Sequence, residues 1–510
     1  MAGPWDYEHL YIDGQWAPAE GGATIESIDP ATEEVIGHVP DASPKDAVRA
    51  IEAARRAFDE GPWPWMKPRE RGAAIKRLAE ALDARMPAMR EMIVAETGST
   101  GMMTDMVQGA GAVGLVHWNA EHVDTAVQWV ESSPPVGGPL GVSGSAIIRE
   151  PVGVVAAITP FNVPFYLNLV KAIPALAVGC TVVLKPHPWT SLNAFEIAKA
   201  AEEVGIPPGV FNLITGAGDV GDELSGSPLV DMVTFTGSTA TGRRIMANAS
   251  GTVKRLQLEL GGKSATIVLD DVSEEHVATI GFGAVLSHCG QGCVIQTRLL
   301  LPHHLLDAYK DGVMRALATV KIGDPRDPET TLGPLIRERQ RERVEGYVQS
   351  GLEEGAELFV GGKRPDQPSK GFFFEPTVFI NADNRMRIAQ EEIFGPVMTV
   401  IPYSGSEDEA VRLANDSIYG LGGGVVAANS GRAFNVARRV RAGWMHAQGV
   451  SGTASVSTGP GAGQGPGWGT SPGTIATAGA FGGYKQSGLG REWGRHGLEE
   501  YTEIKYLNWN

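Results

Sequence analysis

Short β-branched runs alternate with helical patterns through the first half of the chain. The runs cover residues 152–158, 181–184, 210–214 and 232–235, and the helical stretches cover 167–178, 191–204, 219–225 and 240–249. Alternation at this spacing predicts a parallel sheet covered on both faces, in the manner of a dinucleotide-binding fold. A second alternating region from 265 to about 444 predicts a further α/β unit. Upstream, residues 10–16 read as a short polar strand, and 44–59 and 68–86 as amphipathic helices. The Pro-, Gly- and Ser-rich stretch 129–150 is expected to form a β-hairpin arm outside the core. Residues 501–507 alternate and predict a strand able to extend the edge of another sheet. Residues 449–480, with the run Gly459-Pro460-Gly461-Ala462-Gly463, carry too little apolar surface to bury and predict a long loop.

Length, charge and cysteine usage narrow the class. A chain of 510 residues exceeds one small core, so two or more structural units are expected. No apolar run is long enough to span a bilayer, and Met1-Ala2-Gly3-Pro4-Trp5-Asp6 lacks the basic and apolar regions of a signal peptide. Cys180, Cys289 and Cys293 make no disulfide framework and have no zinc-ligand spacing, which predicts a cytosolic protein with reduced thiols and no metal. A net charge of −16 opposes nucleic-acid binding.

The candidate chemistry centres on two glycine-flanked residues. Glu259 precedes Gly261-Gly262, and Cys293 follows 34 positions later (293 − 259) within Gly290-Gln291-Gly292-Cys293. A base at one tight bend and a thiol at another predict covalent thiol chemistry assisted by a general base. Free cysteines are often small buried hydrophobes, but the glycines beside Cys293 argue against tight core packing. Cys180 reads as structural, and Cys289 as a bystander. Asn162, past the end of a predicted strand, is either a turn residue or a donor to a developing oxyanion. Lys185 ends the next strand, where ligands of open parallel sheets sit, and reads either as a ribose contact or as a snorkelling lysine. The turn 236–242 opens a helix and is either a phosphate site or an ordinary strand-to-helix turn. Glu392 and Phe394 read on their own as a helix end and a turn. His187 and His288 have no ligand-spaced partners.

Taken together and in order, these motifs resemble the aldehyde dehydrogenase superfamily, in its NAD(P)-dependent, hydrolytic branch. The resemblance rests on Pro160-Phe161-Asn162, Lys185-Pro186, Phe235-Thr236-Gly237-Ser238-Thr239, Glu259-Leu260-Gly261-Gly262-Lys263, and Gly290-Gln291-Gly292-Cys293 with Arg298. It continues through Gly323-Asp324-Pro325, Gly333-Pro334, Glu391-Glu392-Ile393-Phe394-Gly395-Pro396 and Phe481-Gly482-Gly483-Tyr484-Lys485-Gln486-Ser487-Gly488. It implies an α/β fold of three parts: a Rossmann-type cofactor domain (1–128 and 149–261), an α/β catalytic domain (262–480) and a small β oligomerisation arm (129–148 and 498–510). It implies Cys293 as nucleophile, Asn162 with the Cys293 N–H as oxyanion hole, Glu259 as the base that hydrolyses the thioester, and Lys171 with Glu492 as a proton relay. The implied cofactor contacts are Thr159, Pro160, Phe161, Lys185, Gly237, Ser238, Thr241, Leu260, Glu392 and Phe394. The implied ligands are NAD, with NADP also admitted, and a small aldehyde, in a homodimer or homotetramer.

Several positions depart from that pattern. Pro188 stands where many NAD-preferring relatives carry a glutamate, which removes both a ribose contact and a repulsion toward a 2′-phosphate. His288 replaces an asparagine common five positions before the nucleophile. Val163, Val170, Gly292 and Val294 predict a roomy apolar pocket for a medium or bulky aldehyde. The alternatives are a CoA-acylating or reductive relative, which Glu259 opposes, and a non-catalytic binding protein on the same fold.

Overall fold

The computed structural model describes residues 4–138, 141–280, 283–450 and 479–509, so most of the loop expected at 449–480 lies outside the described residues. Two open sheets dominate. In the first, Arg255–Glu259, Met232–Thr236, Val154–Ile158, Thr181–Lys185 and Phe211–Leu213 run parallel in that spatial order. Every residue of the three central strands is buried, as expected for β-branched runs covered on both faces. From Val154–Ile158 the chain first adds strands on one side, then returns to build the other. That reversal opens a crevice beyond the carboxyl ends of the strands, where such sheets bind ligands.

The second sheet orders Glu357–Val360, Thr377–Ile380, Val397–Tyr403, Arg298–Pro302, Ala265–Val268, Gly422–Ala427 and Trp444–Gly449, parallel except at its first strand. Gly488–Leu489 crosses back to pair antiparallel with Arg255–Glu259, stitching the late chain to the first sheet beside Glu259. Val130–Gly138, Gly141–Pro151 and Thr502–Trp509 form a separate antiparallel sheet, the arm.

Two local expectations are corrected. Residues 10–16 are a hairpin, Leu10–Ile12 paired with Gln15–Ala17, and its first strand is buried against Phe211–Leu213. Asp13 and Gly14 take φ of 55° and 72°, the left-handed pair that closes a two-residue hairpin. The helix expected at 68–86 runs on to Thr97 through Pro87, because Met89, Met92, Ile93, Val94 and Ala95 are all buried. That packing outweighs the bond a mid-helix proline removes. Among the described residues no helix is long and apolar enough to cross a membrane.

Candidate active site

The residues singled out from sequence converge where the carboxyl ends of the first sheet face the amino ends of the second. Lys185 is 5% exposed, which excludes a snorkelling surface lysine, and its ammonium donates to no side chain or carbonyl among the described residues. Burial lowers its pKa to about 8 against the opposing pull of Asp219 and Asp41. A buried, unpaired ammonium beside a parallel-sheet crevice fits a polyol such as a ribose.

Ser238 caps the helix Thr239–Ala249, its Oγ accepting from the Thr241 N–H at 3.2 Å and lying 2.9 Å from Thr241 Oγ1. The Gly237 N–H donates to the Glu259 carbonyl at 3.0 Å. Leu260 lies over Gly242, where a Cβ would come within 2.6 Å of it, so the helix start and the Glu259 turn are fitted to each other. An open helix N-terminus of this kind favours a phosphate. The dinucleotide therefore fits the residues present.

Across the crevice, Glu392 Oε1 accepts from the Gly262 N–H at 3.1 Å, and burial raises that carboxyl to about 7. Phe394 takes φ of 62° and meets Phe161 edge-on at 5.6 Å, bringing the two sheets' contributions into contact. Phe161 also packs on His187 and Trp189, each with ring centroids 5.2 Å away. Thr159 and Pro160 are buried at the start of the same turn.

Cys293 is partly exposed, unlike Cys180 and Cys289, which are buried. Asn162 is buried and donates from Nδ2 to the Gln291 carbonyl at 2.9 Å, two residues before the thiol, which leaves its second amide N–H available. The protein's own charges around Cys293 are acidic. Burial, then the carboxylates of Glu392, Glu259 and Glu492, push its thiol up. A thiolate there needs a cation brought by a ligand.

Glu259 is 2% exposed and neither carboxylate oxygen accepts a hydrogen bond among the described residues. Burial and then Glu492 raise its pKa well above the ordinary carboxyl range, against Lys171 and Arg491. Lys171 and Glu492 form a buried ion pair at 2.5 Å, and Lys171 Nζ also donates to the Phe235 carbonyl at 3.3 Å.

Two features escaped the sequence reading. Val163 and Val170 are buried in the large core around the first sheet, and Trp444, Phe481, Trp493 and Cys293 pack together with Val294 and Leu421. Phe481 and Trp493 lie 4.6 Å apart, and Phe481 and Trp444 6.3 Å. Phe481 and Glu492 exchange main-chain hydrogen bonds, which ties this wall to the ion pair. These aromatics come from separate segments, so only proximity in the fold reveals them. The second is a buried chain of polar side chains: Thr159 Oγ1 to Asn168 Oδ1 (2.5 Å), Asn168 Nδ2 to Asn193 Oδ1 (2.9 Å) and Asn193 Nδ2 to Glu96 Oε2 (2.8 Å).

Comparison with known proteins agrees with this geometry. The model of the aldehyde dehydrogenase family matches residues 16–507. Betaine aldehyde dehydrogenase of Bacillus subtilis (strain 168) is 40% identical over 503 residues, covering 98% of this chain and 96% of that protein. The structure of a Mycobacterium tuberculosis aldehyde dehydrogenase complexed with NAD+ superposes with a TM-score of 0.90 at 39% identity, covering 99% of this chain and 98% of that one. A mutant of aldehyde dehydrogenase C from Pseudomonas syringae, complexed with NAD+ and octanal, gives 0.89 at 37% identity, covering 99% and 98%.

Proposed function

The chain belongs to the aldehyde dehydrogenase family, and on that premise we propose how its own residues divide the reaction. The enzyme oxidises an aldehyde to a carboxylic acid through a cysteine thiohemiacetal and thioester. NAD, when bound, supplies the hydride acceptor and a positive nicotinamide ring.

Cys293 Sγ adds to the aldehyde carbon. The free amide N–H of Asn162 and the Cys293 main-chain N–H hold the oxygen as it becomes negative, and one such donor is typically worth ~10²–10³ in rate. After hydride loss the acyl group remains on Cys293 as a thioester. Glu259 then takes a proton from water, whose oxygen attacks the acyl carbon and releases the acid and the thiol. Its burial makes it a strong enough base for that step. The Lys171–Glu492 pair is the route by which that proton leaves. Lys185 holds the adenosine ribose, Ser238, Thr241 and Gly237 the phosphates, and Glu392 the nicotinamide ribose, with Phe394 beside the ring. Thr159, Pro160, Phe161 and Leu260 shape the crevice. NAD is the acceptor, and Pro188, standing where a glutamate would repel a 2′-phosphate, leaves room for NADP.

The observation that carries this division is the pairing of a part-exposed thiol with a buried carboxylate that accepts no hydrogen bond from the protein. The functional parts are those given by the resemblance, with residues 1–128 and 149–261 binding cofactor, 262–480 carrying the thiol, and 129–148 with 498–510 joining subunits in a cytosolic homodimer or homotetramer. The wall of Trp444, Phe481 and Trp493 favours a medium or bulky apolar aldehyde, in keeping with the octanal complex of the Pseudomonas syringae neighbour. The same aromatic faces would also attract a cationic aldehyde, the second reading, named for the Bacillus subtilis relative.

Stopped-flow NADH formation with octanal and with betaine aldehyde tests the whole reading. Cys293→Ala is expected to form no NADH. Glu259→Gln is expected to give one burst and then stall, because hydride transfer precedes hydrolysis. Steady turnover by the Gln variant would remove Glu259 from its role.

A further inference from the structure

Gln257 is a fully buried amide in the first sheet, two residues before Glu259 on the strand Arg255–Glu259. A side chain of this kind is costly inside a protein unless its polar atoms are engaged. Beside it, the ladder to Gly488–Leu489 pairs Glu259 with Gly488 and Leu258 with Leu489, and ends there. Gly490, at φ of 81°, then turns the chain, so close to the strand that a Cβ would meet Gln257 Cγ at 3.1 Å. Where main-chain pairing stops, the Gln257 side chain takes it up. Its Nε2 donates to the Arg491 carbonyl at 2.7 Å.

That carbonyl shares a peptide group with the Glu492 N–H, which donates to the Phe481 carbonyl at 2.7 Å. The peptide entering Glu492 is thus gripped on both sides. The Arg491 N–H is held as well, donating to Glu500 Oε1 at 3.0 Å. Immediately beyond, Trp493 takes φ of 67°, which a residue with a Cβ keeps only when its surroundings over-determine it. The amide of Gln257 cannot turn over. A carbonyl only accepts, so the nitrogen faces Arg491, and Oε1 accepts from the hydroxyls of Tyr501, at 3.0 Å, and Thr234. Both of those side chains are fully buried. The segment held in this way lies against the base. A Cβ on Gly482 would stand 2.8 Å from Glu259 Oε1, 2.7 Å from the Gly490 carbonyl oxygen and 2.9 Å from Arg491 Cδ.

We propose that Gln257 is a positioning residue for Glu492: through the Arg491 carbonyl, its amide sets the peptide that aims the Glu492 carboxylate at Lys171. This role rests on the reading of the Lys171–Glu492 pair as the route by which the proton leaves Glu259. Gln257 touches no reacting atom. It acts on thioester hydrolysis, the step that needs that route, and not on thiol addition or hydride loss. Small misplacements of such groups cost rate.

Two rates test this with octanal or betaine aldehyde as substrate. Stopped-flow NADH formation gives the first turnover, and acid quench with intact mass gives the decay of the acyl-enzyme. Gln257→Met keeps the length of the side chain and leaves the Tyr501 and Thr234 hydroxyls, 3.2 Å apart, to bond each other. It is expected to slow hydrolysis about fivefold or more while the first turnover stays within about twofold of wild type. Glu492→Gln is expected to slow hydrolysis at the plateau of its own pH profile. In that background the methionine change costs less than about twofold further, because the carboxylate it positions is already gone. Wild-type hydrolysis in Gln257→Met, or a first turnover that slows in step with hydrolysis, would overturn the proposal. An equal loss in both backgrounds would also overturn it, since the effect would then fall on Glu259, the neighbour on the strand. Should the methionine variant fail to fold, Gln257→Asn decides, because it keeps an amide but draws it back from Arg491. Hydrolysis slowed by about threefold or more supports the role, and wild-type hydrolysis overturns it. Wild-type hydrolysis in Glu492→Gln would instead bring down the relay reading itself.

Discussion

Glu259 shows what burial does to a single carboxyl group. With Glu492 near and no donor bound among the described residues, its proton is held more tightly than in water, so the active base form grows as pH rises above the usual carboxyl range. Thioester hydrolysis is therefore expected to speed up with pH over a range displaced upward from that of an ordinary carboxyl group. Burial raises the midpoint most, and the buried pair beside Glu259 adjusts it. Lys171 pulls the Glu259 pKa down and Glu492 pushes it up, so Lys171→Met should move the rise in kcat to higher pH and Glu492→Gln to lower pH. Steady-state pH–rate profiles of the three proteins check this, and coincident profiles would leave the pair no part in setting the base. Each variant also strips a buried charge of its partner, at a cost of about 3–5 kcal/mol, so the profiles belong at a temperature where all three are folded. Glu259 and Cys293 were legible in the sequence because glycines flank both. The acidity around Cys293 was not, because Glu392, Glu259 and Glu492 reach it from three distant segments.

At the scale of elements, the turn before Cys293 is the most constrained piece of the site. Gly290 is left-handed, and a Cβ there would stand 2.0 Å from the Gly395 carbonyl oxygen. Gly290→Ala must therefore shift main chain as well as strain it, and the expected destabilisation is ~2 kcal/mol or more. Differential scanning calorimetry should show a lowered Tm, and kcat should fall with it as Cys293 moves. Gly251→Ala, where a new Cβ meets nothing within 4 Å, is the matched control and should change neither. The parallel strands were readable because fully buried strands write themselves as short, nearly continuous apolar runs rich in β-branched residues, as in Val154–Ile158 and Thr181–Lys185. The helix through Pro87 was not, since a proline there reads locally as a stop and only the buried faces of Met89, Met92 and Ile93 explain its continuation. The aromatic wall of Trp444, Phe481 and Trp493 lies beyond local reading for a similar reason: no two of its members share an element.

Across the whole molecule, the arm is the one sheet that the described residues of its own chain leave largely open. Both sheets that form the site are buried at their centres, whereas Val130, Ile504, Tyr506 and Trp509 on the arm are 64%, 62%, 54% and 54% exposed. Thr502–Trp509 is also an edge strand, paired with Gly141–Pro151 on one side only. A protein seldom keeps large side chains and an unpaired strand edge together in water unless a partner covers them. A second copy of the chain is the proposed partner, in a closed symmetric assembly. Ile504→Asp combined with Tyr506→Asp places two charges on that strand without touching the crevice. Sedimentation velocity at micromolar protein should show the wild type as a dimer or tetramer and the double variant as a smaller species with unchanged circular dichroism. A wild type that sediments as a monomer, or a double variant that sediments with the wild type, would show that the arm does not join subunits. The arm's strand begins directly after Tyr501, whose hydroxyl lies 3.0 Å from Gln257 Oε1, two residues before Glu259. Loss of the partner is therefore expected to reach the base through that contact, and a comparison of thioester hydrolysis in the two species would measure how far assembly supports catalysis.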